Sequence, residues 1–203
     1  MAEVKRYLTP VFRGSFVHQV FKAESYEGGE PKYGLTAIWT PGKFSAKDKE
    51  RWRTIMAALD DEAKSRFKKS IKDLKALNAE GDSFKLSPRD GKTKADLEGF
   101  GEGTVFASLT TKMRPGVVDK DKNPISHEEG NTDEVYSGAY YRATVTVYSY
   151  QNKGKGVALG LMNLQKVADG ERIDGRTDAA ADFEDELDDA WMEEGEDEVD
   201  PLD

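Results

Sequence analysis

The sequence of 203 residues contains no cysteine and only two histidines, His18 and His127. The absence of cysteine excludes disulfides, thiolate zinc sites and a cysteine nucleophile, and it fits a reducing cytosol. The two histidines lie far apart, and the carboxylates lack the spacing that would place two metal ions. We therefore expect a protein that is not an enzyme and that needs no metal and no cofactor.

Long apolar runs are also missing, both behind the N-terminal Lys5 and Arg6 and elsewhere in the chain. A membrane-spanning helix needs about 20 apolar residues, and a signal peptide needs an apolar segment after its basic start. The sequence thus predicts a soluble protein that is neither exported nor bound to a membrane.

Basic residues are absent from the C-terminal segment. Residues 177–203 hold 14 of the 39 acidic side chains and none of the 30 Lys and Arg, so residues 1–176 carry 30 basic against 25 acidic groups, a charge of +5. A segment so acidic repels itself and buries too little apolar surface to fold. We predict one domain over residues 1–176 and a disordered acidic tail over residues 177–203. Within the tail, Trp191, Met192 and Leu202 are typical of a short motif that binds a partner protein.

The first part of the domain predicts a hairpin followed by a helical insertion. Residues 15–22 and 33–40 are rich in strand-forming residues and are separated by a Gly- and Pro-containing turn. Ser45 is a candidate helix cap, and the insertion covers about residues 45–80. The apolar residues that define one buried helix face are Trp52, Ile55, Met56, Leu59 and Ala63.

Two later segments, residues 104–112 and 140–150, alternate cleanly enough to assign strand faces. The aliphatic faces hold Val105, Ala107 and Leu109 in the first, and Ala143, Val145 and Val147 in the second. The opposite faces hold Phe106, Ser108, Thr110 and Lys112 in the first, and Tyr140, Arg142, Thr144, Thr146, Tyr148 and Tyr150 in the second. With a last strand over residues 157–167, this pattern predicts a mainly β fold, an OB-fold-like small barrel with an inserted helical segment.

The aromatic and basic outer faces suggest a surface for single-stranded nucleic acid. Such surfaces combine cations along the backbone path with flat side chains on which bases stack. Aromatic residues on strands also pack in cores or in cross-strand pairs, so this structural interpretation stays open for each of them. The candidate DNA-binding residues are Lys32, Tyr33, Trp39, Phe106, Lys112, Arg114, Tyr136, Tyr140, Arg142, Tyr148, Tyr150, Lys153 and Lys155.

Distinctive runs of residues are found at 27–33, at 87–91, from Lys112 to Asp119, from Val135 to Arg142, from Lys155 to Leu161, from Asn163 to Val167 and from Asp169 to Arg172. These runs resemble a family of phage-encoded single-stranded DNA-binding proteins. The resemblance extends from about Tyr7 to Phe183. It implies an OB-fold with an acidic C-terminal extension, and the cytoplasm of an infected bacterium as the place of action.

Together these observations predict sequence-independent binding and protection of single-stranded DNA in phage replication and recombination. The tail is expected to regulate binding and to recruit replication or recombination proteins. Two alternatives remain: a mediator that anneals complementary strands, and an acidic decoy or chaperone-like protein that binds a basic protein. A nuclease is disfavoured because no cluster of metal ligands is evident.

Overall fold

The computed structural model describes residues 4–25, 28–126, 134–151 and 154–175. Within these ranges nine strands share one sheet: β1 (Tyr7–Leu8), β2 (Phe12–Ser15), β3 (Tyr33–Trp39), β4 (Phe84–Leu86), β5 (Arg89–Asp90), β6 (Val105–Thr111), β7 (Gly116–Val118), β8 (Tyr140–Tyr150) and β9 (Lys155–Ala168). Two α-helices, α1 (Ala46–Phe67) and α2 (Ile71–Ala79), lie between β3 and β4. The predicted tail with Trp191, Met192 and Leu202, and the candidate Lys153, lie outside the described residues.

Five of the strands close into a barrel. β2 pairs with β3, β3 with β6, β6 with β9, β9 with β8, and β8 again with β2. The β6–β9 pair is parallel and the other four pairs are antiparallel. This closed Greek-key arrangement confirms the predicted OB-fold-like barrel.

The barrel interior is filled by the aliphatic faces assigned from alternation. Ala107, Leu109, Ala143 and Val145 are all buried in the core cluster, and Val147 packs against it. Phe106 is also buried but does not belong to that cluster, because it points to the opposite side of β6. The period-two pattern therefore assigned the strand faces correctly.

Helix α1 begins where predicted, after Ser45, whose hydroxyl accepts a hydrogen bond from the Asp48 backbone N–H at 3.1 Å. Its buried face of Ile55, Leu59 and Ala63 packs onto the barrel, mainly against β8. The chain breaks at Lys68 and restarts at Ser70, which forms a capping box with Asp73. The insertion thus has two helices joined by Lys68, Lys69 and Ser70, of which Lys68 has the left-handed conformation.

The first predicted strand, over residues 15–22, is wrong. Ser15 is the last residue of β2, and Val17–Val20 form a 3-10 turn. Phe16 between them has φ 55° and ψ 38°, a left-handed conformation that stops a strand. The expected pairing with β3 exists, but it is made by the residues that precede Phe16.

A short connection, which we call the strap (residues 84–90), bridges β9 and β6. β6 and β9 pair with each other only at Thr110 and Gly160. Beyond that point β4 runs parallel to β9, and β5 pairs antiparallel with β6. The strap therefore widens the outer sheet surface next to the end of β8.

Among the described residues, no helix has the length and apolar character needed to cross a bilayer.

Candidate nucleic-acid interface

The outer surface of β3, β6, β9 and β8 has a floor of small residues. Gly34, Thr110, Gly160 and Thr146 follow one another across the four strands in register. Gly34 and Gly160 are buried and Thr110 and Thr146 are half-buried, so the floor carries no large side chain of its own and neighbouring rings can lie close to it. Tyr148 and Tyr150 of β8 lie beside this floor.

Tyr148 lies against the floor with part of its ring exposed. A Cβ at Gly160 would lie 2.7 Å from the Thr146 hydroxyl and 3.5 Å from the Tyr148 ring, so glycine lets both side chains lie low on the surface. The Tyr148 side chain is 37% exposed, and its ring centroid is 6.2 Å from that of Tyr150, at an interplanar angle of 43°. The two rings form one aromatic ledge above the sheet.

Tyr150 joins this ledge to the strap. It pairs with Gly156, which pairs in turn with Lys85 of β4. A Cβ at Gly156 would overlap the Lys85 carbonyl oxygen and lie 3.0 Å from the Tyr150 hydroxyl. Burial raises the pKa of Tyr150 and Tyr148 adds to this, while the charge of Arg89 opposes it. Tyr150 is therefore neutral at physiological pH and does not repel a phosphate.

Arg89 is the cation next to the ledge. Its guanidinium carbon lies 4.6 Å from the centroid of the Phe106 ring, directly across the β5–β6 pair. Phe100 supports the same ring from the side, with centroids 5.2 Å apart in an edge-to-face arrangement. Arg89 is exposed, so its guanidinium plane is held on an aromatic support at the surface.

Arg89, Lys85 and Lys94 form no ion pair with a described carboxylate, a property they share with many other lysines and arginines of the described ranges. By contrast, Lys92 pairs with Glu102, and Lys112 pairs with Glu30. A cation without a protein counter-charge is available to a phosphate. Arg89 and Lys85 on the strap and Lys94 after it are therefore available to a phosphate near the ledge.

The structure brings together three of the predicted site residues at this place. Tyr148 is exposed and Tyr150 is half-buried, whereas Phe106 is 1% exposed. A ring so deeply covered cannot stack on a base, so Phe106 acts as the support for Arg89. This corrects the expectation that Phe106 itself offers a stacking face.

Trp39 does not belong to the surface. It is fully buried in the core, its Nε1 donates to the Pro10 carbonyl at 3.3 Å, and its ring packs against Phe12 and Trp52. The predicted role of Trp39 in DNA binding is corrected accordingly, because its ring has no face open to solvent.

Four other candidates lie toward the opposite end of β3 and β6. Tyr33 is half-buried opposite Thr111, and Lys32 is exposed. The Lys112 ammonium lies 2.6 Å from Glu30, and this contact holds the pKa of Glu30 below its usual value. Arg114 follows on the exposed segment after β6.

Tyr136 and Tyr140 lie at the far end of β8. The Tyr136 hydroxyl donates to Asp169 at 3.0 Å and accepts from the Gly170 N–H at 3.1 Å, while Arg172 lies 4.5 Å from its ring centroid. These contacts give Tyr136 a structural role in joining β8 to the segment after β9. Tyr140 remains 41% exposed there.

Arg142 and Lys155 are engaged with protein partners. The Arg142 Nε donates to Gln165 Oε1 at 2.6 Å, across the β8–β9 pair. The Lys155 ammonium lies 2.7 Å from Asp82 and 4.2 Å from the centroid of the Phe84 ring.

Sequence reasoning missed Arg89, Lys85 and Lys94. Arg89 does fall within residues 87–91, one of the runs that carried the family resemblance, and that was the available signal. The strands on which Arg89 and Lys85 lie are two and three residues long, too short for a visible alternation. Across the described ranges, no group of three or more His, Asp or Glu is arranged to hold a metal ion.

Comparison with known proteins identifies relatives. A sequence profile of the family described as "Enterobacter phage Enc34, ssDNA-binding protein" matches residues 5–197. A putative protein p50 from Acyrthosiphon pisum secondary endosymbiont phage 1 is 37% identical over 108 residues, which cover 53% of this chain and 54% of that protein. The matched part thus spans about half the length of that relative.

Solved structures share the fold. The single-stranded DNA-binding protein from bacteriophage Enc34, in complex with single-stranded DNA, has a TM-score of 0.65 at 21% identity and covers 82% of this chain and 88% of its own. Gp2.5, a single-stranded DNA-binding protein encoded by bacteriophage T7, has a TM-score of 0.54 at 15% identity, over 92% of this chain and 98% of its own. At these identities the likeness shows a common architecture.

Proposed function

Because this chain belongs to the Enterobacter phage Enc34 family of single-stranded DNA-binding proteins, we propose that it binds single-stranded DNA on the outer face of its barrel and catalyses no reaction. The observation that carries the proposal is the ledge of Tyr148, which is exposed, and Tyr150, which is half-buried, beside the exposed cation Arg89. We call this set of three side chains the ledge site.

Stacking supplies the part of the binding energy that does not depend on sequence. Each base–aromatic stack contributes about 1 to 3 kcal/mol, and every base has a flat face. The rings of Tyr148 and Tyr150, 6.2 Å apart, would each accept one base of a strand drawn across the floor. Because stacking on these rings accepts any base, we expect binding that does not depend on sequence.

Phosphate contacts supply the rest. Lys85 and Arg89 flank the ledge on the strap, so a strand whose bases lie on the tyrosines directs its backbone toward these two cations. Each contact releases a condensed counterion, and affinity therefore falls as salt rises. Lys112 would bind a phosphate only after its ion pair with Glu30 is broken.

A protein of this kind would cover single strands exposed during phage replication and recombination, in the cytoplasm of the infected bacterium. Coverage by stacking shields the base edges from pairing and the backbone from nucleases. A strand-annealing mediator would use the same face but would also speed the pairing of complementary strands, and a simple annealing assay separates the two activities.

For the acidic residues 177–203 we propose a regulatory role. With 14 acidic groups and no basic ones, this segment can compete with DNA for the cations of the domain at high effective concentration. Binding of a strand would release it, and Trp191, Met192 and Leu202 would then be available to a replication or recombination protein.

The test is a titration of labelled oligo-dT with the full chain and with a chain ending at Arg176, at two salt concentrations. Anisotropy of the DNA label is a better readout than the intrinsic fluorescence of tryptophan, because Trp39 is buried and Trp52 is half-buried on α1. We expect salt-sensitive binding by both forms and tighter binding by the shorter one. Absence of binding by both forms would contradict the proposal and favour the acidic decoy.

A further inference from the structure

Phe16 combines exposure with a strained backbone. Its side chain is 40% exposed, and its φ of 55° lies in the left-handed region that residues other than glycine rarely adopt. Such a conformation is energetically unfavourable, and it persists where the surrounding structure or a function maintains it. An exposed aromatic ring gains little packing energy in return, so a ligand contact is the better reason for this residue.

A lysine without an ionic partner lies beside that ring. The Lys94 ammonium is 5.9 Å from the ring centroid of Phe16, 5.7 Å from that of Phe100 and 5.4 Å from that of Phe106. No carboxylate of the described ranges forms an ion pair with it. Three rings thus hold one cation at a fixed place, and its charge remains available to an anion.

Phe16 also borders a cavity of about 650 Å³, which has the size of a small-ligand pocket. Its apolar wall includes Phe16, Leu97 and Ile173. The charged groups of the wall come in opposite pairs or are acidic: Arg172 lies 3.2 Å from Asp174, and Glu98 is a further carboxylate. This lining suits a neutral flat group, such as a nucleobase, better than a phosphate.

A series of contacts connects Phe16, at the wall of the cavity, to the ledge site. The Lys94 ammonium lies 5.9 Å from the ring centroid of Phe16 and 5.4 Å from that of Phe106, and the Arg89 guanidinium lies 4.6 Å from that of Phe106. The order of the groups is therefore Tyr148, Tyr150, Arg89, Lys94 and Phe16. Two aromatic rings, two cations and one further ring follow one another along this line, and surfaces that bind single strands combine these two kinds of group.

From these observations we propose that Phe16, Lys94 and the adjoining cavity form a second nucleotide subsite, with a base against Phe16 and its phosphate on Lys94. The inference rests on the proposed function, because the subsite lies at one end of the path that starts at the ledge site. A strand long enough to reach it gains affinity that a short strand on the ledge alone does not.

The test compares oligo-dT of about 4 and about 16 nucleotides, lengths that bracket the site sizes of OB-folds. The full chain is used, with Phe16→Gly, Phe16→Tyr and Lys94→Gln. Glycine accepts the left-handed φ without strain, so we expect Phe16→Gly to keep the fold, which circular dichroism checks. Lys94→Gln tests the same subsite without changing Phe16.

We expect Phe16→Gly and Lys94→Gln to weaken binding of the longer strand about tenfold, the loss of one stack or one phosphate contact, and to leave binding of the shorter strand unchanged. Phe16→Tyr should bind both lengths as the parent does. The subsite is overturned if Phe16→Gly binds the longer strand like the parent, or if both lengths lose affinity equally. Failure of the ledge site itself is a different result: Tyr148→Ala would then bind the shorter strand with parental affinity.

Discussion

The guanidinium carbon of Arg89 lies 4.6 Å from the centroid of the Phe106 ring, and this contact joins the strap to the barrel at the edge of the ledge site. Phe106 is buried from the other side by Phe100 and the segment around Lys94. The ring therefore orients a planar cation toward solvent, where its charge and its flat face are both available.

Arg89 allows charge and shape to be tested separately. We expect Arg89→Ala to weaken binding and to lower the slope of log affinity against log salt by about 1, as the loss of one phosphate contact predicts. Arg89→Lys keeps the charge but loses the planar group that stacks on Phe106. Arg89→Lys should have the same salt slope as the parent and an affinity between those of Arg89→Ala and the parent. Anisotropy at several salt concentrations measures both quantities. An unchanged slope in Arg89→Ala would remove Arg89 from the phosphate path.

Tyr148 tests stacking. We expect Tyr148→Ala to lose about 1 to 3 kcal/mol of binding free energy and Tyr148→Phe to bind as the parent does, because the ring and not the hydroxyl makes the contact. Tyr140 is the matched control: it lies on the same strand and is 41% exposed against 37% for Tyr148, but it lies away from the strap. If Tyr140→Ala weakens binding as much as Tyr148→Ala does, the DNA path runs along β8 instead of across the sheet.

A substitution at Gly156 tests the close contact between β9 and the strap. A methyl group there would overlap the Lys85 carbonyl oxygen, a backbone atom that cannot move without breaking the β4–β9 pair. We expect Gly156→Ala to destabilise the fold by about 1 to 3 kcal/mol in urea unfolding. Gly42→Ala is the control, because nothing lies within 4 Å of the position its Cβ would occupy. Equal stability of the two variants would show that the strap adapts freely.

Tyr141 tests the part of β8 that sequence alternation left unassigned. Its buried hydroxyl donates to the Tyr136 carbonyl at 2.8 Å and accepts from the Tyr136 N–H at 3.0 Å, and burial raises its pKa well above the usual value. Tyr141→Phe leaves both backbone groups without this partner, so we expect a loss of about 1 to 3 kcal/mol of stability. Tyr148→Phe is the control and should have the same free energy of unfolding as the parent. If Tyr141→Phe also has the parental free energy of unfolding, water replaces the lost hydroxyl.

Elements with a long regular pattern were predictable. Helix α1 has a Ser45 cap and a repeating apolar face, and β6 and β8 alternate over most of their length. Each of these patterns arises from one element packing on one core, which is local information that a sequence carries.

What the sequence could not show depends on contacts between distant segments. Alternation placed Phe106 on the outer face of β6, but it could not reveal that Phe100 and Lys94 would cover that face. Arg89 is on a two-residue strand whose place is set by pairing with β6. The left-handed Phe16 ended a strand that its neighbours' composition favoured.

The most direct test of the ledge site is ultraviolet crosslinking of oligo-dT to the full chain, with the crosslinked residues located by mass spectrometry. The proposed function predicts thymine adducts on Tyr148 or Tyr150. Replacement of either tyrosine with leucine should abolish the adduct at that position. Adducts confined to the Tyr136 and Tyr140 end of β8, with none on the ledge, would contradict it.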